Sequence, residues 1–257
     1  MSEHQRPKPK DKKTFDEFIN RLAETMMVTT DISEQVLYWL LHDGPTKLEY
    51  SIMADAIAIA VIIDPIQQLR SHKMHPNIHD AFKQYIKFVT IAIEDFLRGH
   101  LFLYDCVVTI LDIINSTLIA KDADNMLRKI VRELIADYLH GLDTDADLRF
   151  ERCNRYPNDY GQGVKVVANC SLEKGEIIHG LTGRVLKIQK EDYGQEYMKN
   201  DFSIIVNGRG QGMVYLGPGS FMNHDRQPNV EYLATENGKV AVKTLRKIQE
   251  GEGITVH

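Results

Sequence analysis

The stretch near the end of the chain that is richest in hydrogen-bonding side chains is GSFMNHDRQPNVEY, residues 219–232. An apolar pair, Phe221-Met222, leads directly into Asn223-His224, and a Pro-Asn pair follows. An asparagine amide offers both donors and an acceptor, and the backbone groups of a histidine can pair with the edge of a base. Such groups suit a cofactor that has amine, carboxylate and adenine parts. A surface loop has the same composition, so both interpretations stay open for this stretch alone.

Two other polar stretches could contribute to the same chemistry. The first runs from Asn154 to Val164 and ends in Gly161-Gln162-Gly163, where glycines would let a ligand approach the backbone closely. A Gly-x-Gly spacing by itself favours a plain turn. The second is Asn200-Asp201-Phe202-Ser203, the polar entry to a predicted strand.

The residues before about position 142 have the 3.6-residue periodicity of helices. A capping box at Thr14–Glu17 precedes the first apolar stripe. The pattern predicts a disordered basic tail at 1–13 and a helical bundle at 14–142, with the stripes in its core. The two longest stripes are Ile78, Phe82, Tyr85, Ile86, Val89, Ile93 and Leu97, and Met126, Leu127, Ile130, Val131, Leu134, Ile135 and Tyr138.

After Asp143-Thr144-Asp145 the pattern changes to short β-branched segments separated by Gly and Asn. Asn207-Gly208 and Asn237-Gly238 predict hairpin turns, because both residues of such a pair tolerate positive φ. Without long helices between the segments, a sandwich or barrel-like domain is expected at 148–257 and a parallel sheet is not. The predicted fold class is therefore α+β, a helical bundle followed by an all-β domain. The predicted strands are 164–168, 176–179, 184–188, 202–206, 213–216, 230–234 and 240–245.

The composition excludes several classes of protein. The 257 residues are 43% hydrophobic and 26% charged, and the net charge of -5 argues against a general nucleic-acid coat. The apolar run 54–63 is interrupted by Asp55 and is too short to span a bilayer, so no membrane association is expected. Three scattered cysteines suit a reducing compartment. The N-terminal 13 residues lack the apolar core of a signal peptide, and their basic character is typical of nuclear import segments.

In this order and spacing, the three polar stretches resemble those of SET-domain lysine methyltransferases. The run from Phe221 through Asn223-His224 to Pro228-Asn229 carries most of the resemblance, together with Gly251-Glu252 in the segment 245–254. The similarity is closest to the Suv4-20 type, the histone H4 lysine-20 methyltransferases that add the second and third methyl groups. The segments that resemble this type are Cys153–Tyr156, Asn200–Ser203, Leu216–Pro218 and, in the helical half, Asp64-Pro65 and His72–Met74.

The resemblance implies a histone-lysine N-methyltransferase that uses S-adenosylmethionine and acts on the histone H4 tail in nucleosomes. Such a chromatin regulator would be found in the nucleus, on the chromosome, and would need no sequence-specific contact with nucleic acid. The cofactor would lie on one side of a SET-like β domain, and the target lysine would enter through a narrow channel from the other side. Orientation and exclusion of water would supply most of the catalysis, since a dry channel favours the neutral amine.

Carried over residue by residue, the resemblance implies one residue beside the lysine channel and ten that line or support the cofactor. Ser203 matches the small polar residue of the channel, where side-chain size limits how many methyl groups fit. Each position also has a structural interpretation, as a turn, a loop charge, a strand serine or a core aromatic ring. The cofactor set is Tyr156, Pro157, Asn158, Asp159, Gly163, Val164, Arg209, Phe221, Asn223 and His224.

Three positions depart from the family pattern. Arg226 stands where the family has a cysteine of its four-thiolate zinc site, and no cysteine follows it, so no zinc is expected. Ile66 replaces an aromatic residue that the family places near the cofactor. Gly253 replaces the second glutamate of a Gly-Glu-Glu sequence.

The family places its catalytic tyrosine where the next residue after His257 would be, so the catalytic residue is unassigned and the SET-like domain is expected to lack its C-terminal tail. The chain as written is therefore expected to bind S-adenosylmethionine weakly and to transfer methyl slowly or not at all. Two alternatives stay open. One is a SET-fold module that binds cofactor or histone tail without methyl transfer, and the other is a helical scaffold whose β half docks partners.

Overall fold

The computed structural model describes residues 47–63, 85–118, 125–143, 145–155, 163–189, 203–206, 212–235 and 239–257. Within these ranges four α-helices precede nine short strands, which confirms the predicted α+β class. The capping box at Thr14–Glu17, the basic tail and both predicted Asn-Gly turns lie outside the described residues.

The helices form the first half of the described chain. They are α1 (Lys47–Ala58), α2 (Ile86–Leu97), α3 (Leu103–Leu118) and α4 (Asn125–Leu142). The described parts of the two long apolar stripes fall on α2 and α4, whose inward faces are buried, while Ile78 and Phe82 lie outside the described residues. Periodicity does not predict α1, because its polar and apolar residues are not separated onto two faces and so form no apolar stripe.

The most apolar segment of the sequence is a core helix. Helix α1 continues into a π-helical turn at Ile59–Ile63, and all residues from Ala54 to Ile63 are buried, including Asp55. No helix among the described residues is long and apolar enough to cross a membrane.

The strands form three small sheets. They are β1 (Leu148–Cys153), β2 (Gly163–Ala168), β3 (Gly183–Lys187), β4 (Ile204–Val206), β5 (Gly212–Leu216), β6 (Asn223–His224), β7 (Val230–Ala234), β8 (Lys239–Thr244) and β9 (Thr255–Val256). Strands β1 and β2 pair antiparallel, and an antiparallel sheet has the order β4-β5-β3-β8-β7. Strands β6 and β9 form a parallel pair only two residues long.

One predicted strand, 176–179, is wrong. Ile177 makes only an isolated bridge to Lys243 of β8, and a 3₁₀ turn at His179–Leu181 follows. The segment does bond β8, through the Ile178 N–H to the Val242 carbonyl and the Thr244 N–H to the Glu176 carbonyl, both at 2.9 Å, but the 3₁₀ turn ends this pairing before a regular strand forms. Strands β1, β6 and β9 were not predicted, and the last two depend on a pairing that is distant in sequence.

Ion pairs attach helix α4 to the larger sheet. Arg184 of β3 and Lys239 of β8 lie opposite each other in the strand register. They pair with Glu133 and Asp137, which are one turn apart on α4; the Lys239 Nζ to Asp137 Oδ1 distance is 2.8 Å. Burial raises the pKa of Asp137, and the nearby Lys239 opposes that shift. Removing either partner would therefore leave a poorly hydrated charge at the junction of the two halves.

We expect Lys239→Met to lower the free energy of unfolding by about 1–2 kcal/mol, because it leaves the largely buried Asp137 carboxylate without its cation. Denaturant unfolding followed by circular dichroism measures this change. Lys243→Met is the matched control on the same strand, since Lys243 pairs with the exposed Glu231 on the sheet surface; its cost should stay below about 0.5 kcal/mol. Equal losses in the two variants would contradict the structural role assigned to the Lys239–Asp137 pair.

Candidate functional site

The polar loop from Asn223 to Asn229 forms hydrogen bonds with both edges of strand β9. Asn223 and His224 pair in parallel with Thr255 and Val256, and the Asp225 N–H donates to the Val256 carbonyl at 2.8 Å. On the other edge, the Asn229 N–H donates to the Thr255 carbonyl at 3.1 Å. Consecutive residues of a strand direct their backbone groups to opposite edges, so one short strand can serve both ends of the loop.

Asn229 is fully buried, and its side chain also forms hydrogen bonds with this segment. Its Oδ1 accepts the Thr255 N–H at 2.8 Å, and its Nδ2 donates to the Gly253 carbonyl at 2.8 Å. The Asn229 carbonyl accepts the Leu245 N–H at 2.8 Å. The amide therefore acts as a backbone substitute, satisfying polar groups that would otherwise be buried without partners.

Asn223 lies where the loop meets the β1–β2 pair. The Cys153 Sγ is 3.6 Å from Asn223 Nδ2 and 3.7 Å from Asn223 Oδ1. Cys153 is the register partner of Gly163, so Asn223, Cys153 and Gly163 form one cluster. A thiol is a weak hydrogen-bonding group, and Asn223 is only half-buried. Among the described residues its amide is therefore the polar group of this loop best placed to bond a ligand.

The rest of the Asn-His segment is supported by the core. Phe221 is 1% exposed and packs edge-to-face on Phe150 at a centroid distance of 5.7 Å, and against Tyr138 at 6.2 Å. The His224 side chain is exposed, and its ring lies 5.3 Å from that of His257 in a T-shaped arrangement. Phe221 thus supports the two residues from below, while His224 faces solvent.

A substituent at Gly163 would contact protein. A Cβ there would lie 3.2 Å from the Cys153 carbonyl oxygen and 3.3 Å from its Cβ. The glycine therefore has a packing role against Cys153, whether or not a ligand also approaches it. Val164, the next residue, is 2% exposed in strand β2.

The other residues of the predicted set lie on other elements or outside the described ranges. Ser203 is buried just before the edge strand β4, and its carbonyl accepts the Tyr215 N–H at 3.0 Å. Arg226, at the position of the family cysteine, is exposed. Tyr156, Pro157, Asn158, Asp159, Arg209 and Ile66 lie outside the described residues.

Charge at the site is concentrated beside Asn229. The Arg246 guanidinium lies 2.6 Å from Glu252 Oε1, and that pairing, more than any other contact, holds the pKa of Glu252 below its ordinary 4.5. The Glu252 carboxylate also accepts hydrogen bonds from the Gln249 backbone N–H at 3.1 Å and from the Asn229 side-chain Nδ2 at 3.3 Å. In the described part of the chain, no three His, Cys, Asp or Glu side chains come together as a metal site requires.

Two residues that contact the site or the turn before it were not predicted as site residues from the sequence. Cys153 was noted only as part of a resemblance, and its contact with Asn223 depends on a pairing between strands 70 positions apart. Asp55 was noted only as an interruption of an apolar run, yet its carboxylate reaches the turn that precedes Phe221. An acidic residue inside an otherwise apolar helix was the available signal for Asp55.

Comparisons with known proteins agree with this architecture. The family model described as SET domain matches residues 163–257. A Caenorhabditis elegans protein named histone-lysine N-methyltransferase Suv4-20 is 26% identical over 216 residues, covering 82% of this chain and 73% of its own. The Caenorhabditis briggsae protein of the same name is 27% identical and covers 78% of this chain and 62% of its own. These findings confirm the resemblance to SET-domain methyltransferases of the Suv4-20 type.

A fungal relative matches a smaller share of the chain. The Schizosaccharomyces pombe histone-lysine N-methyltransferase set9 is 32% identical over 110 residues, which is 42% of this chain and 25% of the relative. The chain thus spans between a quarter and three quarters of the length of these three proteins.

We expect Asn229→Ala to lower the free energy of unfolding by about 2–3 kcal/mol, because it strands the buried Thr255 N–H and Gly253 carbonyl. Denaturant titration measures the loss. The matched control is Asn169→Ala, an exposed asparagine whose amide bonds the Ala146 carbonyl at 3.3 Å; it should change stability by less than about 0.5 kcal/mol. A similar stability for both variants would show that the buried amide does not hold strand β9.

The Glu252 pKa predicts a pH-dependent difference between variants. A carboxyl whose pKa is lower in the folded state stabilises the fold above its ordinary pKa, and this contribution is lost as pH falls through the folded value. Glu252→Gln should therefore cost stability at pH 7, on the order of 0.5 kcal/mol since Arg246 is half-exposed, and should cost less at pH 3, which lies below the ordinary pKa of the carboxyl. Urea titrations at both values test this, with the exposed Glu250→Gln as control. A deficit that grows on acidification would contradict the Glu252 assignment.

Proposed function

We propose that this chain, a SET-domain protein similar to histone-lysine N-methyltransferases, methylates lysine 20 of histone H4 in nucleosomes and uses S-adenosylmethionine as the methyl donor. The coarser activity, N-methylation of a histone lysine, follows from the SET domain at 163–257 and from the names of its relatives. The choice of lysine and a nuclear, chromosomal location are supported by similarity to proteins named Suv4-20.

The observation that carries the cofactor proposal is the exposure and hydrogen bonding of the Asn223 side-chain amide. It is half-buried, it is fixed by the pairing of β6 with β9, and its described contact is the weakly hydrogen-bonding Cys153 thiol. Such an amide keeps most of its donor and acceptor capacity for a ligand. Asn229, by contrast, uses its amide entirely within the protein and is not assigned to the cofactor.

The chain's residues would divide the work as follows. S-adenosylmethionine, when bound, supplies an activated methyl group. Asn223 and His224 would bind the cofactor from strand β6, Phe221 would hold them from below, and Ser203 would line the lysine channel. Fixing both reactants in a dry site supplies orientation, which lowers the barrier without covalent participation by the protein. The further members of the proposed cofactor set are Tyr156, Pro157, Asn158, Asp159, Gly163, Val164 and Arg209, and no zinc is proposed.

We expect Asn223→Ala to weaken S-adenosylmethionine binding by about 1–3 kcal/mol, because the cofactor loses a half-buried hydrogen-bonding partner. Isothermal titration calorimetry of the folded variant measures this loss. Asn169→Ala, which removes an exposed amide from the start of the loop after β2, is the control and should leave the affinity unchanged. An unaltered affinity in folded Asn223→Ala protein would remove Asn223 from the proposed site.

The proposed reaction is tested by transfer of a labelled methyl group to nucleosomes. Label should appear on histone H4 and should disappear when lysine 20 of that histone is replaced by arginine. Label that persists on the replaced histone would overturn the choice of lysine but not the activity. Cofactor binding without any label would favour the alternative of a binding module, and absence of cofactor binding would favour the scaffold.

A further inference from the structure

Asp55 is a buried residue of the helical half that contacts the loop preceding the Asn-His segment. It lies in helix α1 and is 1% exposed. Its Oδ1 accepts a hydrogen bond from the Tyr138 hydroxyl of α4 at 2.8 Å and another from the Gly217 N–H at 3.0 Å. One carboxylate oxygen therefore joins two helices to the β domain.

The Gly217 turn that receives this contact leads directly to Asn223. Gly217 has φ of 97° and ψ of -170°, a backbone conformation that favours glycine. A 3₁₀ turn follows at Pro218–Phe221, in which the Ser220 N–H donates to the Gly217 carbonyl at 2.9 Å. Five residues thus separate the anchored N–H from the start of strand β6.

A second contact couples helix α4 directly to the same turn. Tyr138, whose hydroxyl is held by Asp55, is fully buried and packs its ring against Phe221 at the end of the turn. Burial, and then the nearby Asp55 charge, keep the pKa of Tyr138 well above 10, so its hydroxyl stays a donor. The turn is therefore fixed at its first residue by a hydrogen bond and at its last residue by an aromatic contact.

We infer that Asp55 is a positioning residue for Asn223: through Gly217 and Tyr138 it sets where the Asn-His strand stands relative to Cys153 and Gly163. This inference rests on the proposed cofactor role of Asn223. It assigns the helical half a function in cofactor binding, which the SET-domain match, beginning at residue 163, does not include. Asp55 itself touches neither cofactor nor substrate in this assignment.

Three variants test the inference in the full chain. Asp55→Asn keeps an acceptor oxygen, Asp55→Leu removes it, and Tyr138→Phe removes one donor while keeping the ring. We expect Asp55→Leu to raise the dissociation constant for S-adenosylmethionine about tenfold, the effect of one lost hydrogen bond, and Tyr138→Phe to raise it several-fold. Asp55→Asn should restore the affinity to within about twofold of the wild type.

A stability control separates positioning from general destabilisation. Ile110 is fully buried in α3, so Ile110→Val should lower Tm by an amount comparable to Tyr138→Phe without changing the affinity. If Asp55→Leu does not fold, the comparison of Tyr138→Phe with Ile110→Val decides. Equal dissociation constants in those two variants would overturn the inference.

Amide hydrogen exchange gives a readout that does not need the cofactor. Asp55→Leu, or Tyr138→Phe in its place, should accelerate exchange in residues 217–224 and leave the β7–β8 pair unchanged. Failure of the wild type to bind S-adenosylmethionine would overturn the proposed function, and the exchange data would still decide whether Asp55 positions the turn. Unchanged exchange in 217–224 would overturn the inference even if the cofactor binds.

Discussion

The buried amide of Asn229 is the interaction on which the arrangement of the β half depends. Strand β9 has only two residues, too few for a stable pair on strand hydrogen bonds alone. Asn229 supplies further hydrogen bonds on the other edge of β9: its side chain bonds Thr255 and Gly253, and its backbone N–H bonds the Thr255 carbonyl. Because β9 is held there, β6 has a partner, and Asn223 has a fixed position.

That arrangement divides the polar residues of one loop between two tasks. Asn229 and Asp225 use their polar atoms inside the protein, the latter by accepting the Gln227 N–H at 3.0 Å. Asn223 and His224 stay half-buried or exposed, next to a thiol and a second imidazole. The crowding of hydrogen-bonding groups in this stretch therefore has two causes, structural for its second half and, in our proposal, cofactor binding for its first.

The helical half contributes constraints of a different physical kind. Glu133 and Asp137 attach α4 to the sheet through charges that are partly hidden from solvent, and such pairs fix orientation more than they add stability. Asp55 attaches α1 and α4 to the Gly217 turn through neutral donors. Both sets of contacts meet on α4, so this helix is the element that relates the two halves in the described structure.

The sequence alone determined the change from helices to strands, the α2 and α4 stripes, and most strands, since these follow from local periodicity and turn chemistry. It also determined the SET resemblance, because the Asn-His and Pro-Asn pairs lie within one short stretch of the sequence, residues 223–229. Tertiary structure decided which of these polar residues use their hydrogen-bonding groups within the protein. The Asn229–Thr255, Cys153–Asn223 and Asp55–Gly217 contacts join residues 26, 70 and 162 positions apart, and no local pattern encodes a hydrogen bond between segments brought together only by folding.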